Sequence, residues 1–291
     1  MILLDVIAQR ITESTGSPYV IDESRSVGGG CINQAMKISG GSRSYFVKIN
    51  QASLLSMFDA EAEALDELAA SNTVRVPRPV CLGVAGSQYF LVLEYLDLSG
   101  PANMAQLGQQ LAAMHRIGSQ QYGWWRNNTI GSTPQINDLT ADWVSFWRQH
   151  RLGYQLKLAG NQGYGGELQR LGEQLMLRMS GLFDGYQPRS SMLHGDLWGG
   201  NAAGLADGTP VIFDPAFYYG DRETDIAMTE LFGGFGRQFY AAYNEAWPLD
   251  AGYPTRKTFY NLYHILNHLN LFGGGYQGQA LDMMRRLLAE I

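Results

Sequence analysis

His194-Gly-Asp-Leu-Trp-Gly-Gly-Asn201, continuing through Ala202–Leu205 and Asp207-Gly208 to Val211-Ile-Phe-Asp214, is the stretch that decides the fold. Asp196 and Asn201 are five residues apart, and Asp214 follows thirteen after Asn201. Between them, two short apolar runs flank Asp-Gly, the composition of a β-hairpin. A hairpin returns the chain to its start, so the sequence predicts Asp214 beside Asn201. Both side chains offer hard oxygens, which suit Mg²⁺ carrying nucleotide phosphates. Asp196 is then placed to accept the proton of an attacking hydroxyl. Singly, each residue has an ordinary reading, because Asp and Asn are common in Gly-rich turns. The joint pattern is far more specific: Asp as base, Asn five on, hairpin, then Asp.

The same Asp-to-Asn spacing occurs in protein-kinase catalytic loops. If it means the same here, an ATP-binding half must lie upstream. Val27-Gly-Gly-Gly-Cys-Ile-Asn33 stands between two strand-like segments. Gly28, Gly29, Gly30 and Cys31 would let backbone amides approach phosphates, although an ordinary turn would read the same way. A strand follows with Lys48 in Tyr-Phe-Val-Lys-Ile. A lysine inside an apolar strand needs partners for its ammonium. The helix from Leu54 to Ala70 carries an apolar stripe at Met57, Leu65 and Leu68, and Glu61 falls on it. Glu63 falls with Asp59, Asp66 and Glu67 on the wet face, so Glu61 is assigned to Lys48. Leu91–Leu96 then reads as a strand running into a connection, where the backbone groups of Glu94 and Leu96 could pair with adenine.

Residues 1–95 thus read as a small, mostly antiparallel β lobe with one important helix. Residues 96–291 read as a larger, mostly helical lobe, with helices predicted over 104–117, 140–158, 167–182, 225–232, 255–272 and 279–290. The layout is α+β and of the protein-kinase-like two-lobe kind. Composition bounds the function. The net charge is −6 with no basic run, which argues against nucleic acid as a partner. No apolar run reaches the roughly 20 residues of a membrane helix. The chain begins without signal-peptide features and has two cysteines, Cys31 and Cys81. Cytoplasmic residence is the expectation.

These residues carry a resemblance. His194-Gly-Asp196 with Asn201 looks like the aminoglycoside phosphotransferase and choline kinase superfamily. More narrowly, the chain resembles the fructosamine/ketosamine-3-kinase family. The matching stretches are Gly-Gly-Gly-Cys-Ile (28–32), Phe-Val-Lys-Ile-Asn (46–50), Met-Phe-Asp-Ala-Glu-Ala-Glu (57–63), Val-Arg-Val-Pro-Arg-Pro (74–79), Leu-His-Gly-Asp-Leu-Trp-Gly-Gly-Asn (193–201), Phe-Asp-Pro-Ala (213–216), Phe-Gly-Gly-Phe (232–235) and Leu-Asn-His-Leu-Asn (266–270). The resemblance implies ATP- and Mg²⁺-dependent phosphorylation of O3 in a 1-amino-1-deoxyketose. The unstable 3-phosphate would then depart and free the amine. It further implies supporting roles for His194 and Asp225 around the catalytic segment, and His268 as a substrate contact. His268 could equally be a satisfied helix histidine.

Trp198, two residues from Asp196, is the leading aromatic platform for a sugar. Trp124, Trp125, Tyr218 and Tyr219 read as rim or, more simply, core. His115 reads as structural and His150 as an exposed helix residue. Two alternatives stay open at this point: another small-molecule kinase acting on an aminoglycoside, choline or homoserine, or a nucleotide-binding pseudokinase. Cys31, inside the phosphate cradle, could be an oxidisable thiol linking two chains, or merely a small packing residue; the chain is otherwise read as a monomer.

Overall fold

The computed structural model describes residues 3–28, 33–52 and 55–291. The chain divides into two compact units, Met1–Asn103 with Ala203–Asp214, and Met104–Ala202 with Pro215–Ile291.

In the first unit, α1 (Leu3–Thr15) buries Ile7 and Ile11, one turn apart. It stops at Gly16, whose φ of 67° belongs to the left-handed region and whose amide closes the last turn on the Thr12 carbonyl at 3.0 Å. Strands β1 (Glu23–Ser26), β2 (Gln34–Gly40), β3 (Arg43–Gln51), β4 (Pro79–Ala85) and β5 (Gln88–Glu94) form one sheet in the order β1-β2-β3-β5-β4. Every neighbouring pair is antiparallel. Tyr19-Val-Ile21 has the residue types of a strand but forms none. The Tyr19 amide donates instead to the Thr12 hydroxyl at 2.9 Å, and its ring packs edge-on against Tyr45.

Pleating separates the sheet's two faces. Val47 and Ile49 of β3 join Phe90 and Val92 of β5, Ile38, Ile7 and Ile11 in one buried cluster. Each such side chain contributes about 1.5–3 kcal/mol by leaving water. Lys48, paired with Leu91 in the β3–β5 register, must point to the other face. Helix α2 (Leu55–Ala70) packs against β4 and β5 and contributes nothing to that cluster. The predicted hairpin is present as β9 (Ala202–Gly204) and β10 (Pro210–Ile212). The Arg75 carbonyl accepts from the Ile212 amide at 3.0 Å, tying β10 to the first unit.

The second unit is helical: α3 (Met104–His115), α4 (Trp143–Trp147), α5 (Gly153–Asn161), α6 (Glu167–Arg178), α7 (Glu223–Leu231), α8 (Arg237–Ala246), α9 (Tyr253–Phe272) and α10 (Gln277–Glu290). Two short ladders accompany them, β6 (Asn128–Ile130) with β7 (Thr133–Gln135) and β8 (Ser191–Leu193) with β11 (Tyr218–Gly220). The single helix predicted over 140–158 is broken by a π-helical turn at Arg148–Leu152. That turn carries Arg151 inward to 0% exposure. Its guanidinium donates to the Ile136 carbonyl and to Asn137 Oδ1 and lies over the Tyr218 ring at 4.2 Å. Helix α8 was not anticipated. Among the described residues, no helix is long and apolar enough to cross a membrane.

Candidate active site

In the first unit, Lys48 is 6% exposed. Its Nζ lies 2.5 Å from Glu61 Oε1 and 2.5 Å from Asp214 Oδ1. Burial works against the ammonium, but the two carboxylates outweigh it and hold the lysine above its ordinary pKa range. The helix-face argument that chose Glu61 over Glu63 therefore matches the geometry. Glu63 is not fully wet, however. It is half-buried, with Oε2 enclosed. Asp59 also departs from the expected wet face, because the Tyr89 hydroxyl donates to it.

Asp214 has a φ of 57°. Such a conformation is sparsely populated for a residue with a Cβ, and the following Pro215 restricts the position further. Strain of this kind gathers at functional positions. The Asp214 side chain is 49% exposed, so a hard oxygen is held at the surface of a buried ion-pair cluster.

In the second unit, the His194-Gly-Asp196 turn hangs on Asp225, which is 1% exposed. Asp225 Oδ2 accepts from the His194 amide at 2.7 Å, and Oδ1 accepts from the Gly195 amide at 2.8 Å. His115 adds a contact from Nε2 to Oδ2 at 3.2 Å, while its Nδ1 meets the Tyr243 hydroxyl at 2.8 Å. Burial alone would raise the Asp225 pKa. The His115 contact and the amide donors outweigh it, and the carboxyl stays below its usual range. Burial also lowers His115. A neutral His115 donating Nε2–H to Asp225 and accepting from Tyr243 satisfies every group. His115 is thus structural, as its place at a helix end suggested, but its partner could not be read from that place.

Gly195 has a φ of 83°, and a Cβ there would lie 2.0 Å from the Ala216 carbonyl oxygen. No other residue fits that turn. Asp196 follows, half-buried. Asn201, 6% exposed, donates Nδ2–H to the Asp196 carbonyl at 2.9 Å and reaches Asp196 Oδ2 at 3.3 Å. The amide nitrogen is thereby fixed on Asp196, and Oδ1 projects away from it. Among the described residues, no group of three or more His, Cys, Asp or Glu side chains could hold a metal ion. A divalent ion at Asn201 or Asp214 would need phosphate oxygens or water to complete its shell. That requirement fits Mg²⁺, which keeps such ligands, and does not fit a resident structural metal.

Trp198 is 40% exposed. Its indole lies directly over Gly200, where a Cβ would meet the ring at 2.2 Å. His268 sits on α9, half-buried, with Nδ1 2.8 Å from the His264 carbonyl. Gly28 faces open space, with nothing within 4 Å of a Cβ built there. Gly29, Gly30 and Cys31 lie outside the described residues. The Glu94 amide donates to the Arg78 carbonyl at 2.9 Å and its carboxylate binds Arg75, so that amide already has an acceptor. Leu96 is half-buried just beyond β5. Trp124 and Tyr218 are buried, whereas Trp125 is exposed. His150 is half-buried against Phe146 rather than exposed. Sequence reasoning gave no role to Phe232, whose ring meets both Trp198 and His268; the Phe-Gly-Gly-Phe stretch (232–235) was the available signal.

The fructosamine kinase family profile matches residues 3–290. A probable ketoamine kinase of Synechocystis is 50% identical over 286 residues, covering 97% of this chain and 96% of that protein. The ketosamine-3-kinase of Mus musculus is 35% identical, covering 89% and 93%. The crystal structure of a Haemophilus somnus protein assigned as a fructosamine-3-kinase superposes with a TM-score of 0.89 at 32% identity, covering 97% of this chain and 96% of that one. The choline kinase of Streptococcus pneumoniae, at 13% identity and a TM-score of 0.64 over 99% of each chain, shows the kinase-like fold alone. With its profile matched from Leu3 to Glu290 and relatives covered almost end to end, this chain belongs to the fructosamine kinase family.

Proposed function

We propose that this protein transfers the γ-phosphoryl group of ATP to O3 of a ketosamine, a 1-amino-1-deoxyketose carried by a small amine or by a protein lysine. The reading rests above all on the Lys48 cage. A buried ammonium held between Glu61 and a half-exposed Asp214 is what phosphate alignment requires. Asp196 is the base that takes the proton from the attacking O3 hydroxyl. Asp225 and His194 hold its turn. Asn201 and Asp214 would each offer an oxygen to Mg²⁺, which when bound would neutralise charge on the phosphates. Phosphate contact is assigned to Gly28–Gly30 and Cys31 on their sequence alone, and the backbone at Glu94 and Leu96 receives adenine; at Glu94 the carbonyl serves, since its amide is engaged. Trp198 and His268 receive the sugar.

The 3-phosphorylated product is unstable. Elimination of inorganic phosphate from C3 leaves a conjugated imine, which water hydrolyses to a 3-deoxy dicarbonyl sugar and the free amine, so the transfer leads to deglycation. The mouse relative is named for ketosamine phosphorylation and a relative in Arabidopsis thaliana for protein-ribulosamine phosphorylation.

The test is coupled ATP turnover against a fructosamine, a ribulosamine, an aminoglycoside, choline and homoserine. Turnover confined to the ketosamines is the expected result. Turnover of the aminoglycoside, choline or homoserine instead would move the assignment to another acceptor, and turnover of none would remove it.

A further inference from the structure

A row of aromatic rings leads away from the catalytic turn in the second unit. Trp198 and Phe232 meet with ring centroids 6.4 Å apart, Phe232 and His268 at 5.0 Å, His268 and Phe272 at 5.4 Å, and His268 and Tyr276 at 5.2 Å. Several of these rings face water: Trp198 is 40% exposed, Phe232 44% and Phe272 61%. Solvent-facing aromatic side chains in contact with one another usually mark a recognition surface.

The row is anchored to the catalytic segment by backbone. A Cβ at Gly199 would lie 2.9 Å from the Gly233 carbonyl oxygen, and one at Gly234 would lie 2.8 Å from the Gly199 Cα. The turn that carries Phe232 is therefore seated on the residue next to Trp198. His268 is fixed as well. A carbonyl only accepts, so its Nδ1–H donates to the His264 carbonyl. In the neutral ring this leaves Nε2 as an acceptor within an otherwise aromatic surface. Its neighbour His264 is buried and pushed down to about 3, so it adds no positive charge at neutral pH.

We infer that this shelf binds the amine-bearing arm of the ketosamine, the protonated secondary amine and the alkyl chain beyond it, and so sets a preference for lysine-borne over unsubstituted substrates. The inference rests on the proposed O3 transfer. In a ketosamine, O3 and the amine nitrogen are separated by four bonds of about 1.5 Å, so they lie within ~5 Å of each other. With O3 at Asp196, the nitrogen falls within reach of Trp198, two residues on. From there the substituent must continue over the protein surface, and the aromatic row is the surface continuous with Trp198. A secondary ammonium is drawn to aromatic faces and to an imidazole acceptor. A lysine's methylene chain buries well against Phe272 and Tyr276.

The test compares kcat/KM for Nα-acetyl-Nε-fructosyl-lysine amide with that for 1-amino-1-deoxyfructose. Wild type should favour the first by about 10-fold or more. Phe272→Ala and Tyr276→Ala should each reduce that ratio by about 3- to 30-fold, the range expected for losing burial of one to two methylene groups, since the amine is common to both compounds. The ratio cancels any loss of folded enzyme. A wild-type ratio near one, or a ratio unchanged in both variants, overturns the shelf assignment. If wild type turns over neither compound, the proposed function itself fails, and the shelf assignment with it.

Discussion

Lys48 and Asp214 stand 166 residues apart in sequence, yet the ammonium of one lies 2.5 Å from the carboxylate of the other. Glu61 grips the same ammonium from α2. The cation is thus held in place, at a buried position where an unpaired charge would be costly.

That arrangement makes a stability prediction. Lys48→Met leaves the Glu61 carboxylate, 10% exposed, without its cation. Unfolding by urea should show a loss of about 3–5 kcal/mol, the usual result of breaking a buried pair on one side. Adding Glu61→Gln to Lys48→Met should return much of that stability without restoring turnover. A single variant as stable as wild type would contradict the cage.

Gly200 should govern Trp198. A methyl group there meets the indole at 2.2 Å, so Gly200→Ala must swing the ring off its seat. Steady-state kinetics should show the ketosamine KM rising about 10-fold or more, from lost aromatic contact, with the ATP KM within about twofold. Equal rises in both constants would point to a disturbed fold instead.

The pH dependence of stability should carry the mark of His264. Burial is the main cause that lowers it to about 3, with His268 and Arg151 assisting and Asp225 opposing. Because the folded value is depressed, the unfolded chain binds the proton first as pH falls below about 6.5, and stability drops through the window from there to about 3. Between pH 7 and pH 5 this residue alone should remove about 2 kcal/mol. His264→Gln should flatten that part of the curve in urea titrations. An unchanged slope would mean that the histidine titrates as an exposed one does.

The sequence was most legible where local rules constrain each residue tightly. The spacing of Asp196, Asn201 and Asp214 pointed to phosphoryl transfer, and counting around α2 singled out Glu61, which pairs with Lys48. It was least legible where a distant partner decides. The Tyr89 hydroxyl draws Asp59 off the wet face. The Thr12 hydroxyl takes the Tyr19 amide out of the sheet. Burial of Arg151 accompanies a π turn inside what reads as one continuous helix. Asp225 was expected to support the catalytic turn. Its two amide contacts, at 2.7 and 2.8 Å, and its tie to His115 depend on helix packing that no local pattern encodes. Phe272 and Tyr276 escaped notice because exposure of an aromatic ring is a tertiary property, and Phe232 entered only as part of a matching stretch, with no role attached.

The central claim is that Asp196 takes the proton from the acceptor hydroxyl. The most direct measurement is ³¹P NMR of ketosamine 3-phosphate formation by wild type and by Asp196→Asn, alongside calorimetric ATP binding. The variant, nearly isosteric, should lose at least about 10²-fold in turnover, the low end for removing a general base, with ATP affinity within a few-fold. Turnover near the wild-type rate would contradict the account.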